Sequence, residues 1–468
     1  MVVILAAGQG TRMRSRTPKL LHEVCGRPLI GWVLDAAKRA AASRIIVVDS
    51  PDRPLAPVLG DGVSCAVQEQ PLGTADALRA AAGLIAPEDS VVVLSGDVPL
   101  IRPQTISALV EAREQAGAAA TLLTATLADP SGYGRVVRAA DGSVVKVAET
   151  KAPGDATAAE LDIHEVNSGV YAFSGAALLP VLELVGNANA QGEQYLPDVV
   201  ALLGRLGQTV TARELDDVEE TFGVNDRVQL AGVRAVAQRR ICEQLMRAGA
   251  TIIDPGRTVI DAGVTLAADV VIHPGCALHG STSVGEGSVI GPHSTLRDVT
   301  VGSGSAVVHS HAVGATVGDA VSVGPFAVLR PGTVLCQGSK AGTFVEIKNS
   351  EVGERSKVPH LSYIGDATIG EDTNIGASTI TANYDGYQKH RTTIGSHVHT
   401  HVHTTLVAPV EIGDDAYAGA GSVITKDVPP GALGIARERQ RNIEGYAQRV
   451  REREERPRPE EEGVPDQR

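Results

Sequence analysis

The chain has 468 residues, with 42 Lys+Arg against 55 Asp+Glu and a formal charge of −13. That length exceeds one ordinary core and implies two or three domains, while the acidic balance excludes nucleic acid or an anionic membrane as a bulk partner. Five scattered cysteines (Cys25, Cys65, Cys242, Cys276, Cys336) without a CxxC pair fit neither a disulfide framework nor a zinc site, so free thiols in a reducing cytosol are expected.

The apolar run Val2–Ala7 predicts a short buried strand that stops at Gly8-Gln9-Gly10 and leads into Thr11-Arg12-Met13 and Pro18-Lys19. Glycines at 8 and 10 let backbone N–H groups face a polyphosphate, and Arg12 and Lys19 add countercharge for phosphates or a leaving pyrophosphate. No Gly-Lys-Ser/Thr closes a P-loop, and Met13 stands where a dinucleotide fingerprint needs its third glycine. The run has no basic leader and is too short to span a bilayer, so a cytoplasmic protein without membrane insertion is expected. Strands over 2–6, 44–49, 91–95, 120–126 and 168–173 alternate with helices over 29–42, 74–85 and 104–116. This is the pattern of a mostly parallel sheet. Gln68 to Thr74 opens one of these helices, where Gly73 and Thr74 can approach a nucleobase. Ser95-Gly96-Asp97 ends the most aliphatic strand, at the carboxyl edge where open α/β sheets bind ligands, and a lone Asp there suits Mg²⁺.

Residues 226–248 read as one amphipathic helix, with Leu230, Val233, Ala237, Ile241 and Leu245 at helical spacing, a cap at Asn225 or Asp226, and a stop at Gly249. From about residue 252 the pattern becomes hexads. Val284-Gly285 and Ile290-Gly291 lie six residues apart, as do Val317-Gly318 and Val323-Gly324, and Ile369-Gly370 and Ile375-Gly376; Leu329, Leu335, Ala341 and Ile347 carry the phase onward. One inward aliphatic and one small turn residue per hexad is the form of a parallel β-helix. The phase breaks at 382–390, which predicts a loop off the solenoid, and the charged, proline-broken segment 449–468 predicts disorder.

Leu5-Ala6-Ala7-Gly8-x-Gly10-Thr11-Arg12-Met13…Pro18-Lys19 resembles the signature of sugar-nucleotide pyrophosphorylases. The hexads resemble the left-handed β-helix of hexapeptide acyltransferases; handedness rests on that resemblance alone, because the general crossover rule predicts right-handed. Together they resemble the bacterial bifunctional N-acetylglucosamine-1-phosphate uridyltransferase/glucosamine-1-phosphate acetyltransferases over nearly the whole chain. The expected layout is a Rossmann-like α/β nucleotide-diphospho-sugar transferase domain over 1–225, a linker helix over 226–249, a left-handed β-helix acetyltransferase domain over 250–448, and the charged tail. The resemblance implies that glucosamine-1-phosphate is acetylated by acetyl-CoA. UMP then passes from UTP to N-acetylglucosamine-1-phosphate with release of pyrophosphate, supplying precursors of peptidoglycan and lipid A-type molecules. It also implies a homotrimer.

Carried over residue by residue, the resemblance places Leu5, Ala6, Ala7, Gly8, Lys19, Gln68, Gly73 and Thr74 on the uridine nucleotide. Gly134, Glu149, Asn167 and Asn225 would complete the sugar-nucleotide site, Asp97 and Asn225 would hold Mg²⁺, and Arg12 and Lys19 would act in catalysis. In Lys357-Val358-Pro359-His360-Leu361-Ser362-Tyr363, His360 would be the base that takes a proton from the attacking amine. Arg330, Lys348, Tyr363 and Asn374 would bind the acceptor sugar phosphate, and Ala377, Asn383, Tyr384, Ala420 and Arg437 the acetyl-CoA.

One stretch departs from the family. His401 and Val402 stand where Gly-Ser is usual, within His397-Val398-His399-Thr400-His401-Val402-His403. Four histidines two apart would share one face of a strand and could bind a metal; a solvated face is the competing reading. Other readings of the whole chain are a single-activity pyrophosphorylase with a β-helical assembly domain, a non-enzymatic scaffold subunit, or a β-helical metal hydratase.

Overall fold

A computed structural model of the chain describes residues 1–150, 152, 154–187, 189 and 191–455. Contacts divide the chain into two units, Met1–Ala320 and Val321–Arg468.

The first unit begins with eleven strands: β1 (Val2–Leu5), β2 (Glu23–Val24), β3 (Arg27–Pro28), β4 (Ile45–Asp49), β5 (Val63–Val67), β6 (Ser90–Ser95), β7 (Ala120–Thr126), β8 (Arg135–Arg138), β9 (Val144–Ala148), β10 (Glu165–Ser174) and β11 (Val210–Glu214). Between and after them run α1 (Leu29–Arg39), α2 (Thr74–Ala80), α3 (Pro103–Gln115), α4 (Ala158–Leu161), α5 (Gly175–Leu182), α6 (Asp198–Arg205) and α7 (Arg227–Arg247). The main sheet runs β11-β7-β10-β6-β1-β4-β5, with β8 and β9 attached through β10. It is mixed: β1 pairs in parallel with β4 and β6, whereas β10 runs antiparallel to β6 and β7.

Strand alternation explains why helices cover both faces. Val2 and Ile4 of β1 face one core with Leu29, Ile30 and Val33 of α1, Leu109 of α3 and Leu230 of α7. Val3 faces the other, with Leu78 of α2, Val181 of α5 and Leu203 of α6. Helix α7 starts where expected: the Asp226 carboxylate accepts hydrogen bonds from the N–H groups of Val228 and Gln229, both at 2.9 Å. Val224, just before it, donates its N–H to the Asp97 carbonyl at 2.9 Å, tying the helix entry to the end of β6.

After α7 the chain climbs in short parallel strands, three to a turn. Thr251–Ile252, Val271–Ile272, Val289–Ile290 and Ala306–Val307 form one ladder, and two parallel ladders beginning at Val259 and Thr265 run beside it. The α/β domain holds these first turns through backbone, since Ala262 donates to the Cys25 carbonyl at 2.9 Å, and through Gln238 of α7, whose Oε1 accepts from Ile260 at 3.0 Å.

The second unit repeats the plan, with ladders led by Ser322–Val323, Val328–Leu329 and Val334–Leu335. The aliphatic positions predicted to point inward, from Val284 through Ile375, are at most 3% exposed. The fold is the expected left-handed β-helix. Residues 383–390 leave it as a loop closed at its base by His390 donating its N–H to the Asn383 carbonyl at 2.8 Å. The segment expected to be disordered from 449 instead carries the end of α8 (Tyr446–Glu454), and 456–468 lie outside the described residues. All five cysteines are free, and among the described residues no helix is long and apolar enough to cross a membrane.

Candidate functional sites

Parallel pairing of β1 with β6 puts Leu5 beside Ser95, and Gly96 donates its N–H to the Leu5 carbonyl at 2.9 Å. The glycine loop and Asp97 therefore share one rim at the carboxyl edge of the sheet, over a cavity of about 460 Å³. Leu5, Ala6, Ala7, Gly8, Lys19, Gln68, Gly73, Thr74 and Asp97 all line it. Lys19 Nζ lies 2.5 Å from Asp97 Oδ2, and Ser95 Oγ donates to Oδ1 at 2.6 Å. Gly10, at φ 62°, is required there: a Cβ would fall 2.5 Å from the Lys19 Cβ.

Gly73 is held more tightly still. At φ 124° its Cα faces the backbone of Gln194, whose oxygen would lie 2.3 Å from a Cβ. Gln68 Nε2 donates to the Gly73 carbonyl at 3.0 Å and to Asp76 at 2.9 Å, which fixes the amide at the cavity wall.

Three predicted residues gather outside that lining. Asn167 N–H donates to the Gly134 carbonyl at 2.9 Å, and its Nδ2 to the Tyr171 hydroxyl at 2.7 Å. A Cβ on Gly134 would lie 3.7 Å from Glu149 Oε1, so these three residues form one wall. A register shift between Asn167 and Tyr171 bends β10 at this wall. Burial, then the carboxylates of Glu193 and Glu149, push the Tyr195 hydroxyl up to about 12. Asn225 follows Val224, which is bonded to Asp97. Arg12 sits on the short turn Thr11–Met13, exposed and outside the cavity lining.

The oxygen donors suit a metal that takes most of its ligands from phosphates and water. Asp97 offers one carboxylate and Asn225 one amide, and no group of three His, Cys, Asp or Glu side chains among the described residues forms a cage.

In the second unit, His360 ends the strand Lys357–His360 with its side chain exposed. Its carbonyl accepts from Ser362 Oγ at 2.7 Å and from the Ser378 N–H at 3.2 Å, which fixes the backbone that carries the ring. On the neighbouring ladder, Lys348 Nζ is 3.1 Å from Asp366 Oδ2, and Arg330 is 3.0 Å from Glu346. A Cβ on Gly365 would touch both the Tyr363 hydroxyl and Asn383 Nδ2, so Tyr363 and Asn383 meet over that glycine.

Sequence reasoning missed Lys389 and Asp366. Contact with Lys348 pushes Lys389 below the usual lysine value, and the Arg330 charge acts in the same direction; Lys348 is held above it by Lys389 and Asp366. Lys348 and Lys389 thus perturb each other, and Lys389 comes from the loop at 383–390, where no repeat phase could have placed it.

The acetyl-CoA candidates lie on successive turns. Ser378, next to Ala377, donates to His360; His403 donates to the Ala377 carbonyl at 2.8 Å; Gly421, next to Ala420, donates to the Val402 carbonyl at 3.0 Å. Arg437 Cδ would lie 3.9 Å from a Cβ on Gly421. Asn374 bridges the strands at Lys357 and His399, while Tyr384, exposed on the loop, donates its hydroxyl to the Gly386 carbonyl at 2.6 Å.

The histidine run does not share one strand face. Only His399 and Thr400 are in a strand, and His397 and His403 are left-handed turn residues at φ 58° and 57°. His399 stacks on Tyr417 at 5.2 Å and His401 tilts toward the same ring at 6.3 Å. Among the described residues no group of three or more His, Cys, Asp or Glu side chains that could hold a metal forms here.

Comparison with known proteins gives a consistent result. Residues 2–163 match the family of MobA-like NTP transferase domains. The chain is 51% identical over 462 residues to the Bifunctional protein GlmU of Mycolicibacterium vanbaalenii, covering 96% of this chain and 93% of that one. It is 49% identical to the protein of the same name from Mycobacterium ulcerans, with coverage of 96% and 93%. Against that of Mycobacterium tuberculosis H37Ra the identity is 48%, with coverage of 96% and 92%.

Proposed function

The chain belongs to the bifunctional GlmU family, and from that premise we propose that the cavity beneath the glycine loop is its uridylyl-transfer site and the cluster around His360 its acetyl-transfer site. The protein is a glucosamine-1-phosphate acetyltransferase and an N-acetylglucosamine-1-phosphate uridyltransferase of UDP-N-acetylglucosamine synthesis. The observation that carries the assignment of the first site is the Lys19–Asp97 pair on the rim of a cavity that also takes in Gln68, Gly73 and Thr74.

In uridylyl transfer, a phosphate oxygen of N-acetylglucosamine-1-phosphate attacks the α-phosphorus of UTP, and pyrophosphate leaves with the bond it breaks. No covalent enzyme intermediate is needed. Lys19 supplies charge at the phosphates and Arg12 stands outside the lining as a second cation for the departing pyrophosphate. Asp97 and Asn225 would hold Mg²⁺, which when bound neutralises the triphosphate. Gly134, Glu149 and Asn167 form the wall assigned to the sugar.

In acetyl transfer, the amine nitrogen of glucosamine-1-phosphate attacks the thioester carbonyl. His360 takes the amine proton as the C–N bond forms, and the CoA thiolate leaves and is reprotonated. Arg330, Lys348 and Lys389 hold the sugar phosphate, with Tyr363 and Asn374 beside it. Ala377, Asn383, Tyr384, Ala420 and Arg437 receive acetyl-CoA.

A homotrimer and a cytoplasmic location complete the proposal. The trimer is supported by an exposed apolar edge, where Phe326 stacks on Phe344 at 5.3 Å; the location is supported by five free thiols. Incubation with glucosamine-1-phosphate, acetyl-CoA and UTP should yield free CoA, pyrophosphate and UDP-N-acetylglucosamine, with pyrophosphate release dependent on added Mg²⁺. Absence of either product from folded protein would overturn the corresponding site. Sedimentation should give three chains; a stable monomer at micromolar concentration would contradict the trimer.

A further inference from the structure

We propose that Asp366 is a positioning residue that joins the acceptor side of the acetyl-transfer site to its acetyl-CoA side, an assignment that rests on the acetyl-transfer reading above. The residue is 7% exposed, and its carboxylate collects three donor side chains from two segments of chain. Lys348 Nζ reaches Oδ2 at 3.1 Å and Oδ1 at 3.3 Å; Asn349 Nδ2 reaches Oδ1 at 2.7 Å; Asn383 Nδ2 reaches Oδ2 at 2.5 Å. Lys348 stands in the acceptor group and Asn383 in the acetyl-CoA group, and both are bound by this one side chain.

The backbone leaves Asp366 little freedom. It donates its N–H to the Lys348 carbonyl at 3.0 Å, accepts from the Thr392 N–H at 3.2 Å, and sits at φ 51°. Burial alone would raise its carboxyl, but the hydrogen bonds from Asn349, Lys348 and Asn383 and the Lys348 charge outweigh burial and hold it below its ordinary value. The residue is therefore a fixed anion facing a cation that has a second lysine beside it. Asparagine cannot replace it. An amide has one acceptor oxygen, and its NH₂ must turn toward Lys348 and Asn349 or toward Asn383, which are all donors. Lys348 would then face Lys389 without a counter-charge, and Asn383 would lose its orientation over Gly365.

The test is steady-state kinetics of the full-length chain with each substrate varied in turn. Asp366→Asn should raise the Michaelis constants for glucosamine-1-phosphate and for acetyl-CoA together, each about tenfold or more, the usual effect of losing a charge-assisted hydrogen bond. Lys348→Met should raise only the first and Asn383→Ala only the second. UTP kinetics of the same preparations should not change. A residue that only stabilises the fold would give a lower melting temperature and a smaller active fraction with both constants unchanged, and that result overturns the proposal. If Asp366→Asn does not accumulate as folded protein, Asn349→Gly suits the left-handed backbone at φ 46° and removes only one donor. It should raise both constants by about two- to fivefold, and two unchanged constants would again overturn the assignment. Wild-type protein unable to acetylate would instead overturn the acetyl-transfer reading, and this assignment with it.

Discussion

His360, the proposed base of the acetyl site, sits on a backbone pinned by Ser362 and Ser378. Replacing it with alanine removes the base and leaves that backbone bonded. His360→Ala should therefore lower acetylation by ~10²–10⁴-fold, while uridylyl transfer from supplied N-acetylglucosamine-1-phosphate persists. Near-normal acetylation would move the base elsewhere. His401 and Val402 are a subtler case. The His401 ring tilts toward Tyr417, and the Val402 carbonyl, not its side chain, bonds the next turn. Against the Gly-Ser that the resemblance leads one to expect, His401-Val402 lacks a hydroxyl, and a lost neutral hydrogen bond is worth about 0.5–1.5 kcal/mol. Restoring Gly at 401 and Ser at 402 should lower the Michaelis constant for acetyl-CoA by roughly two- to tenfold and leave UTP kinetics alone; an unchanged constant would show that this turn does not line the pocket. At this scale the sequence motifs led to most of both candidate sites. Lys389 escaped because it lies in the loop where the repeat phase is broken. Asp366 escaped because a turn aspartate shows nothing of its partners until the coil brings Lys348 and Asn383 to it.

Among the elements, the loop into α2 depends on one glycine. At φ 124° and with the Gln194 oxygen where a Cβ would fall, Gly73→Ala meets both backbone strain and a steric clash. It should destabilise the first unit by about 1–3 kcal/mol in thermal or denaturant unfolding, and raise the Michaelis constant for UTP. An alanine variant of full stability and full UTP affinity would contradict this geometry. The predicted strands and helices were those with strong periodicity, and β1, β4, β6, β7 and α7 appear close to their expected bounds. The missed strands have a physical reason in common. In β8 and β9, Arg135, Arg138 and Lys146 interrupt the apolar pattern, and in β5 Ser64 does the same. Their pairing comes from neighbours far along the chain. The antiparallel direction of β10 was also hidden, because a strand's own residues do not record which way its neighbours run.

For the whole molecule, the change from α/β alternation to hexads near residue 252 reports two kinds of core, and the two proposed sites divide between them. Lys19, Asp97 and the glycine loop lie in the first unit, and His360, Lys348 and Asp366 lie in the second. The central claim is that two reactions use two independent sites. Asp97→Ala tests it most directly, assayed with glucosamine-1-phosphate, acetyl-CoA, UTP and Mg²⁺ while free CoA and pyrophosphate are followed in the same sample. Free CoA should form at close to the wild-type rate, N-acetylglucosamine-1-phosphate should accumulate, and pyrophosphate should stay at background. Loss of both products from a variant shown to be folded would contradict the two-site account.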